Sequence, residues 1–193
     1  MAQAEGSTSS SFGFDYRDRA LILRRTMKIL VDSDEYRCWH EVGHAVVCLH
    51  LGGDVEFIEF IDGNARAAAR TRCEEFPGTE RSVACGGFAV EVLLLRKGLA
   101  ELGSENERDI NSAVFNNAFD DRQAFCGHLL GPVIDQAEQT AFMHHAVGPE
   151  GNGGVIPILE LYFSRMQAVV RELHQTRRIE GSRVKELLGI GTC

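Results

Sequence analysis

Apolar residues recur at helical spacing along most of this chain. In residues 15–30, DYRDRALILRRTMKIL, Leu23, Met27 and Leu30 share one helical face and acidic residues lead, which predicts a helix. The next segment, DSDEYRCWHEVGHAVVCLHLGG, opens with Asp32 three residues before Glu35, a capping-box pattern, and closes on Gly52-Gly53. Bracketed in this way it predicts a helix of about 18 residues. VEFIEFID (55–62) is short, aromatic and β-branched, and reads as a strand. NARAAARTRC fits two periods. Its alanines favour helix, whereas Arg66, Arg70 and Arg72 at even spacing fit one face of an edge strand.

Beyond Pro77-Gly78, Thr79 is placed to cap a helix through ERSVACGGFAVEVLLLRKG, closed by Lys97-Gly98. Ser104-Glu105-Asn106-Glu107 is a second capping box, predicting a helix that runs to about Phe125. Gly127 to Pro132 breaks the pattern, 133–146 reads as helix, and VGPEGNGGVIP as a glycine-rich loop. A last helix, PILELYFSRMQAVVRELHQTRR, turns at Gly181 into a shorter one, SRVKELLGI. The fold class is mainly α (α+β), with a small two- or three-stranded sheet early in the chain. Residues 1–14, polar and small, are expected to be a disordered arm, and 15–193 a single domain.

Composition narrows the function. A formal net charge of −8 argues against nucleic acid, which demands a dense basic patch. The six cysteines form no C-x-x-C pair and four lie in apolar helical runs, as in reduced cytoplasmic proteins. No apolar run approaches the roughly 20 residues of a membrane span. The polar, small N-terminus does not read as a signal peptide, so a cytoplasmic location is expected.

The candidate chemistry lies in RCWHEVGHAVVCLH. Positions i and i+4 of a helix stand one above the other, so His40 and His44 can direct a ring nitrogen each at one zinc ion. Glu41 sits about 100° round the helix, off the metal but within reach of a water bound to it. That arrangement suits a metallohydrolase, in which the carboxylate takes the water's proton and hands it to the leaving nitrogen. The plainer alternative is a packed helix with two satisfied histidines. A catalytic zinc takes three protein ligands, and two carboxylates compete for the third place. Glu91 lies among apolar residues in GGFAVEVLLL, where an unpaired carboxylate is costly. Asp109, in SENERDINSAV, lies a turn and a half into a capped helix. Chemistry alone leaves the choice open, one serving as ligand and the other fixing a histidine tautomer. Cys48, one turn beyond His44, reads as a buried thiol, His144-His145 as surface residues, and Trp39 and Tyr36 as core.

The sequence resembles the zinc peptidase domain of the FtsH-type AAA+ proteases, over roughly residues 30–190. HEVGHAVVCLHL is similar to that family's H-E-x-G-H-A helix, and CGGFAVEVLL to its G-G-x-A-x-E-x-L segment, with Gly86, Gly87, Ala89 and Glu91 in place. SENERDINSA matches its third-ligand segment through Asp109 and Ala113, and LGPV (130–133) also fits. The resemblance implies a zincin-like fold with a small sheet beside the histidine helix and one zinc ion (Zn2+) per chain. It makes His40, His44 and Asp109 the ligands and Glu41 the general base, with Glu91 in support near the metal. It further implies that an extended polypeptide substrate adds to the edge of a strand within 63–73, at Ala67, Ala68 and Ala69. The chain carries no G-x-x-x-x-G-K-S/T, so cleavage is expected of flexible or unfolded polypeptide, with a separate ATPase unfoldase as partner for folded substrates. No membrane or nucleic-acid partner is implied, and no oligomer is assumed. The rival readings are a non-catalytic binding or adaptor module of the same fold, and a zincin with Glu91 as ligand that cuts one specific regulatory protein.

Overall fold

A 17-residue helix carrying both motif histidines forms the axis of the fold, and three other helices and strands of both sheets pack on it. The computed structural model describes residues 28–60, 67–72 (backbone), 78–103, 109–131, 135–151 and 153–191. The expected arm at 1–14, the helix expected over 15–30 as far as residue 27, and the Ser104–Glu107 capping box lie outside the described residues.

In chain order the elements are β1 (Ile29–Leu30), α1 (Asp34–His50), β2 (Asp54–Phe60), β3 (Ala67–Arg72), α2 (Thr79–Ala84), α3 (Gly86–Arg96), β4 (Ala100–Glu101), α4 (Ile110–Asn117), α5 (Phe119–Cys126), α6 (Gln136–Val147), α7 (Ile156–Thr176), β5 (Arg178–Glu180) and α8 (Gly181–Leu188). The chain is therefore mainly helical with a small β component. None of the described helices is long and apolar enough to cross a membrane.

Helix α1 starts one residue later than its capping box suggested. Ser33 is the N-cap, its Oγ accepting the Tyr36 N–H at 3.2 Å. Asp32 instead takes a left-handed φ of 71°, and its carboxylate accepts from Asn117 Nδ2 at 3.0 Å, tying the entry of α1 to the end of α4. At the other end Gly52 donates to Leu49 O and Gly53 to Cys48 O, the paired reverse bonds of a Schellman stop. Ten residues of α1 are buried, more than an amphipathic stripe, because α3, α7 and the sheet cover it from different sides. Trp39 stacks on Phe163 of α7 with ring centroids 5.1 Å apart, and Tyr36 is also core. Cys48 is a buried thiol directed at the Asp54 carbonyl, and it and Cys38, Cys85 and Cys126 form no disulfide.

The main sheet is antiparallel, in the order β3-β2-β5. The strand period of 67–72 thus prevails over its alanine content. Residues 178–180 form its third strand, although the helical pattern of 157–178 runs into the first of them. Arg177, at a positive φ of 63°, ends α7 and turns the chain into the pairing of Ile179 with Ile58. A second, two-stranded sheet pairs β1 with β4 in parallel.

Two helices that the pattern predicts as continuous are broken, and both breaks serve the site. The segment after Gly78 divides at Cys85 into α2 and α3, and the segment before Gly127 divides at the buried Ala118 into α4 and α5. Phe88 of α3, Phe125 of α5 and Phe142 of α6 then pack together, with centroids 5.2 and 5.5 Å apart about Phe142.

Candidate metal centre

His40 and His44 project from one face of α1 towards α3 and α5. Their Nε2 atoms lie 3.2 Å apart. Asp121 of α5 brings Oδ1 to 3.2 Å from His44 Nε2 and 3.5 Å from His40 Nε2. These three side chains form the group of His, Cys, Asp and Glu residues among the described ones that can hold a metal ion.

Each ligand is fixed from behind. His40 Nδ1 donates to Glu91 Oε1 at 2.7 Å, and His44 Nδ1 donates to the Val83 carbonyl at 2.7 Å. A carbonyl only accepts, so the His44 proton is on Nδ1 and its Nε2 lone pair faces Asp121. Paired with the Glu91 carboxylate, His40 presents its Nε2 in the same way. Asp121 Oδ2 accepts the Phe88 N–H at 3.2 Å, in the first turn of α3. With both rings neutral, three acceptors converge on one point, an arrangement that a proton or a metal cation relieves.

The space in front of them is kept clear by Gly87. A Cβ there would stand 2.5 Å from His40 Nε2 and 2.6 Å from His44 Nε2. Electrostatics agrees with geometry. Burial opposes protonation of His40, but Asp121 and Glu91 outweigh it and hold the imidazole well above its ordinary range. His44 is raised too, Asp121 again overcoming burial. Burial alone would push Asp121 up, yet the two histidines hold it far below the usual carboxylate range. Glu91, 1% exposed, is pushed up by burial, which His40 only partly offsets. The pocket attracts positive charge, and two imidazoles with one carboxylate are a donor set that fits zinc.

Glu41 follows His40 on α1 and is half-buried. It lines a cavity of about 190 Å³ that adjoins the triad and includes His40. Glu91 accepts from His40 Nδ1 and is not itself a member of the metal group. Asp109 does not reach the histidines. It is exposed and caps α4, its Oδ2 accepting from Ser112 N at 3.1 Å, and Asp121 from the following helix takes the expected third place. The physical reason is the break at Ala118, which turns α5 back towards α1. Sequence reasoning missed Asp121, though a signal exists: it falls in the buried series Val114, Ala118, Asp121, Phe125, where a carboxylate calls for a partner.

Ala67, Ala68 and Ala69 belong to β3, opposite Phe60, Glu59 and Ile58 of β2. Among the described residues, β3 pairs on that side alone and packs beside α1. His144 is exposed, and His145 Nε2 lies 2.9 Å from Ser82 Oγ; neither joins the metal group. No family model matches the chain, and no curated protein matches it.

Proposed function

We propose that this chain is a zinc-dependent metalloendopeptidase with a zincin-like fold of the FtsH peptidase type, acting on unfolded or flexible polypeptide. The observation that carries the reading is the convergence of His40, His44 and Asp121 on one point, with Glu41 on the adjoining cavity wall. His40 Nε2, His44 Nε2 and an Asp121 oxygen would hold the ion, in the number of protein ligands that leaves a catalytic position open. Bound there, zinc supplies Lewis acidity, lowering the pKa of water and polarising the scissile carbonyl.

The chain's own residues do the rest. A Glu41 carboxylate oxygen takes the proton of the attacking water and delivers it to the leaving amine nitrogen. Glu91 and the Val83 carbonyl hold the histidine rings so that both Nε2 atoms keep their lone pairs towards Asp121. The edge of β3, at Ala67, Ala68 and Ala69, offers backbone groups to an extended peptide. A strand-wise substrate has to be unfolded locally, so folded proteins would require a separate ATPase.

The test is zinc content and casein cleavage by the purified chain, beside Glu41→Gln. One zinc per chain with chelator-sensitive cleavage, and zinc without cleavage in the variant, are expected. Cleavage at the wild-type rate by Glu41→Gln would refute the assignment.

A further inference from the structure

Arg37 lies one turn ahead of Glu41 on the same face of α1, and both line the cavity of about 190 Å³. Asp32, Tyr36, His40, Glu91 and Asn117 share its walls. Because His40 and Glu41 form one side, a group that fills this cavity stands beside the bond being cut. Pockets that enclose whole small molecules measure about 300–1,000 Å³. The present one suits a single side chain, and its walls are mostly polar.

The donors and acceptors of those walls are unequally engaged. Asp32 accepts from Asn117 Nδ2 at 3.0 Å. Asp34, the carboxylate nearest Arg37, lies 3.6 Å from its Nη1, while its other oxygen is held at 2.7 Å by Arg177 Nη1. The Arg37 guanidinium, with five N–H donors, one carboxylate partner at 3.6 Å and a side chain 37% exposed, is thus a lightly engaged cation of the pocket. It asks for an acceptor, and a carboxylate answers a guanidinium best.

We propose that the cavity selects substrates with an aspartate or glutamate next to the scissile bond, and that Arg37 is the residue that reads it. The inference rests on the peptidase reading and adds the substrate class. The chain's formal charge of −8 works against acidic substrates at long range, so selection operates by contact. It persists at physiological salt, where fields beyond about 8 Å are screened.

The experiment uses peptide pairs differing only as Asp against Asn, or Glu against Gln, at the positions flanking the cut. For the zinc-loaded wild type, kcat/KM should favour the acidic member about 5-fold, the yield of one partly exposed ion pair. Arg37→Ala should bring the ratio near 1, Arg37→Glu should invert it, and Arg37→Lys should keep it, all with unchanged zinc content. Dissociation constants of the same pairs on zinc-loaded Glu41→Gln should show the same order without turnover. Cleavage with no acidic preference, or a preference that survives Arg37→Glu, overturns this inference and leaves the peptidase standing. Preferential binding without cleavage by the wild type does the reverse. Neither binding nor cleavage removes both.

Discussion

Gly43 of α1 and Gly86 of α3 meet backbone to backbone: a Cβ on Gly86 would stand 2.7 Å from the Gly43 carbonyl oxygen, and one on Gly43 would overlap the Gly86 carbonyl. The two helices cross where neither has a side chain. That crossing brings Glu91 under His40, and it sets Gly87 opposite both ring nitrogens. Gly43→Ala and Gly86→Ala should each destabilise the fold by about 1–3 kcal/mol, the usual cost of overpacking a closed core. Zinc affinity should fall with stability, because the same displacement separates Glu91 from His40. Thermal melts and zinc titration would test this, and a Gly86→Ala variant with wild-type melting and affinity would count against it.

In the proposed centre Asp121 has the third-ligand place that the motif gives Asp109, and their alanine variants should separate cleanly. Asp121→Ala removes a ligand and should lower zinc affinity by more than the roughly 10–100-fold that follows loss of a supporting partner. Asp109→Ala removes a helix cap and should cost about 1 kcal/mol of stability, with zinc content unchanged. Zinc analysis of the two purified variants decides the matter; loss of metal from Asp109→Ala alone would reverse the assignment.

Glu41 and Glu91 should also part company. Glu41→Gln keeps the metal and loses turnover. Glu91→Gln weakens zinc binding about 10–100-fold, since an amide cannot take the charge from the His40 Nδ1–H that a carboxylate takes. Competition with a chromophoric chelator measures the second effect directly.

The pH dependence of metal binding follows from the raised histidines. Without metal, Asp121 raises His40 and His44 above the ordinary imidazole range, so both bind protons more tightly and zinc must displace them. Zinc affinity should rise with pH from about 6 to 8, with proton release visible by calorimetry in buffers of different ionisation enthalpy. The metal-free protein behaves oppositely. A raised imidazole stabilises the fold below its unfolded pKa, and that contribution is lost as pH climbs through the folded value. Asp121, held low by the histidines, contributes above the ordinary carboxylate range and loses this as pH falls through its depressed pKa. The melting difference between loaded and metal-free protein should therefore widen between pH 6 and 8, and a constant difference would contradict the proton count.

His40, Glu41 and His44 are legible in the sequence because their relation is local: helical spacing alone puts two rings on one face. Glu91 is legible as a carboxylate in an apolar run, which must find a partner. Asp121 carries only a weak signal, a carboxylate in line with apolar Val114, Ala118 and Phe125, and its meeting with the histidines joins segments far apart in the chain. Strand β5 escaped for a similar reason, because its pairing with β2 joins segments far apart in the chain.

Helix α5 is short, and its Asp121 is buried facing the two histidines of α1. A cation held there would act as a clasp between two distant parts of the chain, in the manner of a cross-link. Such a clasp acts locally. Chelation should raise amide exchange first in α5 and the start of α3, through Asp121 and Phe88, while the contact between α1 and α7 keeps its protection. The centre would then serve two ends at once, chemistry and the closure of its own wall.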